Sequence, residues 1–185
     1  MKGDHVTHVS NNPRLGAPHH SAYLVDSIEA TVPRLVEQLG AGPFFLVENV
    51  PLENVASRGE AAELAHNSAF GSCGGAPIEL LEVASAAPER VAARWSGPRP
   101  RIHHVAYVLP RAEAIDLRRS LDERGVPEYL SSQLGPLDMT FHDASGTLGH
   151  DVEIHVDNPG LRDFFELVRS AAEDWDGSAP LRPAP

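Results

Sequence analysis

Short apolar runs alternate along this chain with one amphipathic stretch in each half. The phrase from His19 to Val25 is short and apolar after its His-His-Ser opening, with Tyr and Val in it and turn formers on either side, which predicts a strand. Ile28, Val32, Leu35, Val36 and Leu39 then recur at helical spacing. Asp26 or Thr31 is placed to cap that helix, and Gly40 to stop it in a left-handed conformation. Pro33 fits such a helix only in its first turn. Strands are expected at 44–50, 63–70 and 78–83, with a Pro-, Asn- and Gly-containing excursion over 51–59 and a turn over 71–77. The predicted order is β-α-β-β-β.

The second half repeats the plan. A strand is expected at 102–109, a helix from Arg111 to Arg124 stopped by Gly125, and strands near 127–133, 138–143 and 150–156. A last helix opens with Asn158 as its cap and Pro159 at its first position, carries Leu161, Phe164, Phe165 and Val168 as an apolar stripe, and ends near Asp176-Gly177. The expected division is a flexible arm (1–17), a first βαβββ module (18–84), a connector (85–101) with a short helix around Arg90 to Trp95, a second βαβββ module (102–157), a C-terminal helix (158–177) and a disordered tail (178–185). The fold class is α+β.

The repetition extends to individual residues. His19-His20-Ser21-Ala22-Tyr23-Leu24-Val25 returns 84 residues later as His103-His104-Val105-Ala106-Tyr107-Val108-Leu109, with four of seven positions identical. Each phrase is followed by an apolar run with a glutamate inside it, Ile78-Glu79-Leu80-Leu81 and Val152-Glu153-Ile154-His155-Val156. Successive strand side chains point to opposite faces, so only one histidine of each pair can face a common site. The second of each pair, His20 and His104, shares its face with small or aliphatic neighbours that leave room for a ligand. Two imidazoles and two carboxylates suit one divalent ion of Fe, Mn, Co, Ni or Zn better than the thiolate-loving metals.

Composition narrows the partners. The formal net charge of −11 repels phosphate backbones, which excludes nucleic acid as an expected partner. No run approaches a membrane span, no secretion signal is read in the polar first 17 residues, and the single cysteine, Cys73, fits a reducing compartment; the expectation is a cytoplasmic protein with no membrane partner. The only lysine, Lys2, lies in the expected arm, which excludes a buried lysine base or Schiff-base chemistry.

His-His-x-Ala-Tyr at the head of each half, Ile78-Glu79-Leu80-Leu81-Glu82 closing the first and Leu148-Gly149-His150-Asp151-Val152-Glu153 closing the second resemble the vicinal oxygen chelate superfamily of glyoxalases, bleomycin-resistance proteins and extradiol dioxygenases. The likeness spans about residues 18 to 157 and is nearest in pattern to glyoxalase I and methylmalonyl-CoA epimerase. It implies paired βαβββ modules forming an open, cupped mixed β-barrel around one metal ion, with His20, Glu79, His104 and Glu153 as ligands. The His-Glu-His-Glu order is similar to bacterial glyoxalase I, whereas the epimerases usually carry glutamine where Glu79 stands. The resemblance also implies a homodimer.

An ion in such a cup polarises a carbonyl and stabilises the charge left when the adjacent carbon loses its proton. The expected function is therefore a metal-dependent isomerase, epimerase or lyase acting on a small oxygenated carbonyl compound through an enolate-like intermediate. Glu79 and Glu153 are candidates for the base as well as for ligation, and Glu48 is a further acid/base candidate because it interrupts an apolar strand. His66, His142, His150 and His155 are candidate proton shuttles or supports. An Fe(II) dioxygenase and a metal-free protein that sequesters an antibiotic or other small molecule are the alternatives. A fourth protein ligand leaves less room for oxygen in the first, and a pure binder has no need of all four groups.

Overall fold

A computed structural model describes residues 14–185; the expected arm lies outside the described residues as far as residue 13, while Leu15 packs against the core of the second half. The first half runs β1 (His20–Leu24), α1 (Ile28–Leu39), β2 (Phe44–Val47), β3 (Glu53–Ser57), β4 (Glu60–Ala61), β5 (Glu63–Cys73) and β6 (Ala76–Ala87). A short helix, α2 (Glu89–Ala92), lies in the connector. The second half runs β7 (Arg101–Leu109), α3 (Arg111–Glu123), β8 (Glu128–Leu134), β9 (Leu137–His142), the one-turn α4 (Ser145–Leu148) and β10 (Asp151–Val156). After it come α5 (Pro159–Ala172) and β11 (Leu181–Pro183).

The strands form one mixed sheet in the order β11-β2-β5-β6-β1-β7-β10-β9-β8-β3-β4. Its centre is the antiparallel pair β1 and β7, the repeated phrases lying side by side. Each is flanked on its other edge by the parallel last strand of its own half, β6 beside β1 and β10 beside β7. The order is thus nearly the same read from either end, and the fold is α+β with a cupped, barrel-like sheet.

Helices cover the outside and apolar side chains line the inside. Ile28 and Val32 of α1 pack on Phe44, Ala69 and Leu80, and Ala114, Leu117 and Leu121 of α3 pack on Tyr107, Val152 and Ile154. A separate cluster built on Ala22, Leu81, Trp95, Leu130, Met139 and Phe141 bridges the two halves. Each fully buried Leu, Ile or Val contributes roughly 1.5–3 kcal/mol relative to an exposed one.

Several boundaries differ from expectation. The cap of α1 is Ser27, whose Oγ accepts from the Ala30 amide at 3.2 Å, rather than Asp26 or Thr31. A carboxylate from β6 decides this start, because Glu82 accepts the Ile28 amide at 2.7 Å. Pro33 lies beyond the first turn, on the exposed side of the helix, where water can satisfy the carbonyl left without its partner. The expected excursion over 51–59 contains β3, which with β4 forms a hairpin whose turn residues Arg58 and Gly59 both have positive φ. That hairpin reaches across to pair with β8 of the other half, a non-local contact that local pattern does not show. The helix α5 stops at Ala172, short of Asp176-Gly177.

The expected disordered tail is also corrected: Leu181–Pro183 adds to the sheet edge as β11, parallel to β2. Pro183 is tolerated there because an edge strand has a side that needs no donor. Trp175 anchors this segment, donating its indole N–H to the Ser178 carbonyl at 2.7 Å. A Cβ at Gly42, where φ is +140°, would lie 2.7 Å from that indole ring, so glycine is required for the approach.

Candidate metal centre

Strand register brings the repeated residues together. Across β6, β1 and β7 the residues Glu79, Ala22 and His104 lie side by side, and across β1, β7 and β10 so do His20, Ala106 and Glu153. Partners in register share a face of the sheet, so all four polar side chains project into the cup. The small side chain in the middle of each row, Ala22 or Ala106, is fully buried and leaves the space into which the flanking groups lean. His20, Glu79, His104 and Glu153 are all buried, and one donor atom from each lies within 4.8 Å of the others. The group is complete within one chain.

Nitrogen roles are set by the neighbouring histidine in each pair. His20 Nδ1 lies 3.1 Å from His19 Nδ1, and His104 Nδ1 lies 3.0 Å from His103 Nδ1. That leaves each Nε2 for the centre. His20 Nε2 stands 3.4 Å from Glu79 and 3.9 Å from Glu153; His104 Nε2 stands 3.4 Å and 3.0 Å from the same two. Yet both Nε2 atoms are buried with no hydrogen-bond partner, as lone pairs aimed at a shared point rather than at one carboxylate would be. The donor set, two imidazole nitrogens and two carboxylates, fits a divalent ion.

Electrostatics point the same way. Burial opposes a charge on His104, but the facing Glu153 and Glu79 outweigh it and push its pKa up to about 10. At His20 burial prevails and the pKa is lowered. Burial would raise Glu79, yet its contacts with His104 and His20 hold the carboxyl well below the usual range. Burial is likewise overcome at Glu153, by His155 and His104. In the ion-free protein, the two carboxylates thus favour the protonated form of His104.

The other predicted residues divide. His155 and His66 both line the cavity above the four groups, His155 with Nε2 at 2.9 Å from Glu153 and His66 with an unpartnered buried Nδ1. His142 is fully buried near Val126 and Thr140, and His150 lies against the Asp151 carbonyl; neither lines the cavity. Glu48 is a correction: β2 ends at Val47, the chain bends through Asn49 at φ +49°, and Glu48 is left exposed outside the cavity. Trp95 is buried, stacks on His103 with ring centroids 3.9 Å apart and also lines the cavity.

Several participants carried no sequence signal of their own. Ser68 donates to Glu79 Oε1 at 2.7 Å. Phe70 pairs with Glu79 and Phe141 with Glu153, so each carboxylate has an aromatic neighbour on the outer adjoining strand. From α5, Phe165 stacks on His20 at 5.3 Å and meets His19 edge-on at 4.3 Å. Only the periodicity of β5 and β9 could have pointed to Ser68, Phe70 and Phe141, whereas Phe165 stands in the expected apolar stripe of α5.

No family model matches the chain, and no curated protein matches it by sequence. Solved structures do. Methylmalonyl-CoA epimerase from Mycobacterium tuberculosis is 15% identical with a TM-score of 0.50, covering 84% of this chain and 96% of its own. A hypothetical protein from Bacillus halodurans C-125 is 21% identical with a TM-score of 0.48, covering 77% and 95%. The chain shares the fold of the epimerase, an α+β architecture with a cupped, barrel-like mixed sheet. Among the described residues no helix is long and apolar enough to cross a membrane.

Proposed function

We propose that the protein is a divalent-metal-dependent isomerase, epimerase or lyase that acts on a small oxygenated carbonyl compound by removing a proton beside the carbonyl. The observation that carries this reading is the convergence of His20, Glu79, His104 and Glu153 on one buried point at the wall of an apolar cavity. These four residues would hold the ion. When bound, it supplies Lewis-acid stabilisation of the negative charge that grows on the carbonyl oxygen.

The remaining chemistry belongs to the chain. Glu79 and Glu153 are kept ionised by the imidazoles around them and so are able to accept a proton. Ser68 fixes the orientation of Glu79, and His155 abuts Glu153, which gives each carboxylate one partner that can follow its change of charge. Leu81, Phe70 and Phe141 exclude water from the reacting carbon. Four protein donors weigh against oxygen activation, which favours two histidines and one carboxylate with open positions.

The test is exchange of the α-proton of a 2-hydroxy ketone or 2-keto acid with deuterated water, followed by NMR. Exchange that requires added divalent metal and is lost in Glu153→Gln supports the proposal. Metal-dependent oxygen consumption without exchange refutes it.

A further inference from the structure

We infer that the molecule taken into this cavity joins an oxygen-bearing head to a compact, uncharged, apolar body, and that it is not a coenzyme A ester. The head rests on the function proposed above. The body rests on a separate observation, the character of the walls.

The cavity has a volume of about 300 Å³ and runs from the four converging groups to α5. Near the centre its walls are Phe70 and Phe141; further out they are Leu64, Leu137, Met139 and, from α5, Phe164. The ring of Phe70 meets those of Phe164 and Phe165 edge-on at 5.3 Å and 5.6 Å, so the helix and the sheet make one continuous aromatic wall. None of the described residues lining the cavity is a lysine or arginine. The polar side chains along it, apart from the four, are Ser68, which is bonded to Glu79, His155, which abuts Glu153, His66 beside Trp95, whose Nδ1 is buried without a partner, and Asn158, whose oxygen caps α5 while its Nδ2 is buried without a partner.

These features decide what can be recognised. A nucleotide-bearing thioester carries several phosphate charges and needs cations to receive them. Arg94 pairs with Asp143 and Asp151, and Arg118 with Asp138, and neither lines the cavity. An apolar body gains from leaving water for such walls, and a charged one loses its hydration without compensation. The helix α5 follows the second half in sequence and supplies Leu161, Phe164 and Phe165 to the cavity wall, so it limits the size of the body that fits.

Two probes share a bidentate oxygen head and differ only in the body: benzohydroxamate and acetohydroxamate. Their affinities for the zinc-loaded protein are measured by calorimetry or ligand-observed NMR, with acetyl-CoA as competitor. The expected result is benzohydroxamate binding at least about tenfold more tightly than acetohydroxamate, no displacement by acetyl-CoA, and a preference that shrinks in Phe164→Ala. Equal affinities, displacement by acetyl-CoA, or failure of benzohydroxamate to bind with or without zinc overturns the inference. A preference for the phenyl body that is indifferent to zinc and to His104→Ala leaves the inference standing and overturns the metal reading instead.

Discussion

In the first half, His19 is half-buried and rests edge-on against Phe165, a residue of the C-terminal helix. In the second half its counterpart His103 is fully buried and stacks on Trp95, a residue of the connector. The strands that carry histidine and glutamate are duplicated, register for register, while the groups that hold the imidazoles in place come from segments outside the repeat. The comparison teaches that the repeat supplies the converging donors while each half has its own support. It follows that the two halves should respond alike when a donor is removed and differently when a support is removed.

The largest effect is expected at a support. Trp95→Ala removes a buried ring from beneath His103 and should destabilise the protein by about 3–5 kcal/mol in denaturant unfolding. Phe165→Ala should cost less, because its ring is smaller than the indole and less completely buried; equal losses would erase the contrast between the supports.

Next come the donors. His20→Ala and His104→Ala should each lower zinc affinity on the order of 100-fold or more in competition with a chelator, to a similar degree in the two halves, while His66→Ala leaves it unchanged. A large effect from one half alone would break the symmetry argued from the register. For the adjoining histidines, His103→Ala should lower zinc affinity by about 10–100-fold and His19→Ala by less, since only His103 is held on all sides.

The smallest effect is one of pH. His104 in the ion-free fold has a pKa of about 10 against 6.5 for the unfolded residue. Its stabilisation of the ion-free protein is fully present below about pH 6.5 and is lost as pH rises through about 10. An ion must displace that proton, so zinc affinity should climb by up to about tenfold per pH unit between pH 6.5 and 8. A flat profile would show that no proton is held between the carboxylates.

Much of this arrangement is legible in the chain because duplication is a long-range signal written in short words. The repeated His-His-x-Ala-Tyr phrase shows which strands correspond, the period of two shows that only one histidine of each pair turns inward, and the small neighbours of the second favour it. What could not be read depends on contacts between distant segments. The pairing of β3 with β8 and of β11 with β2 follows from edges that become available only when the sheet has formed. Glu48 interrupts an apolar run just as Glu79 does, but a bend after Val47 turns it outward, whereas Glu79 is held in mid-strand between β1 and β5. Ser68, Phe70 and Phe141 gain their roles only from the residues placed opposite them.

The central claim is that one ion sits among four side chains contributed equally by the two halves. Anomalous diffraction from crystals loaded with zinc or cobalt tests it directly. The account predicts a single strong peak per chain at about 2.0–2.2 Å from His20 Nε2, His104 Nε2 and a carboxylate oxygen of each of Glu79 and Glu153. A peak bound by the residues of one half only, or none among the four, would contradict it.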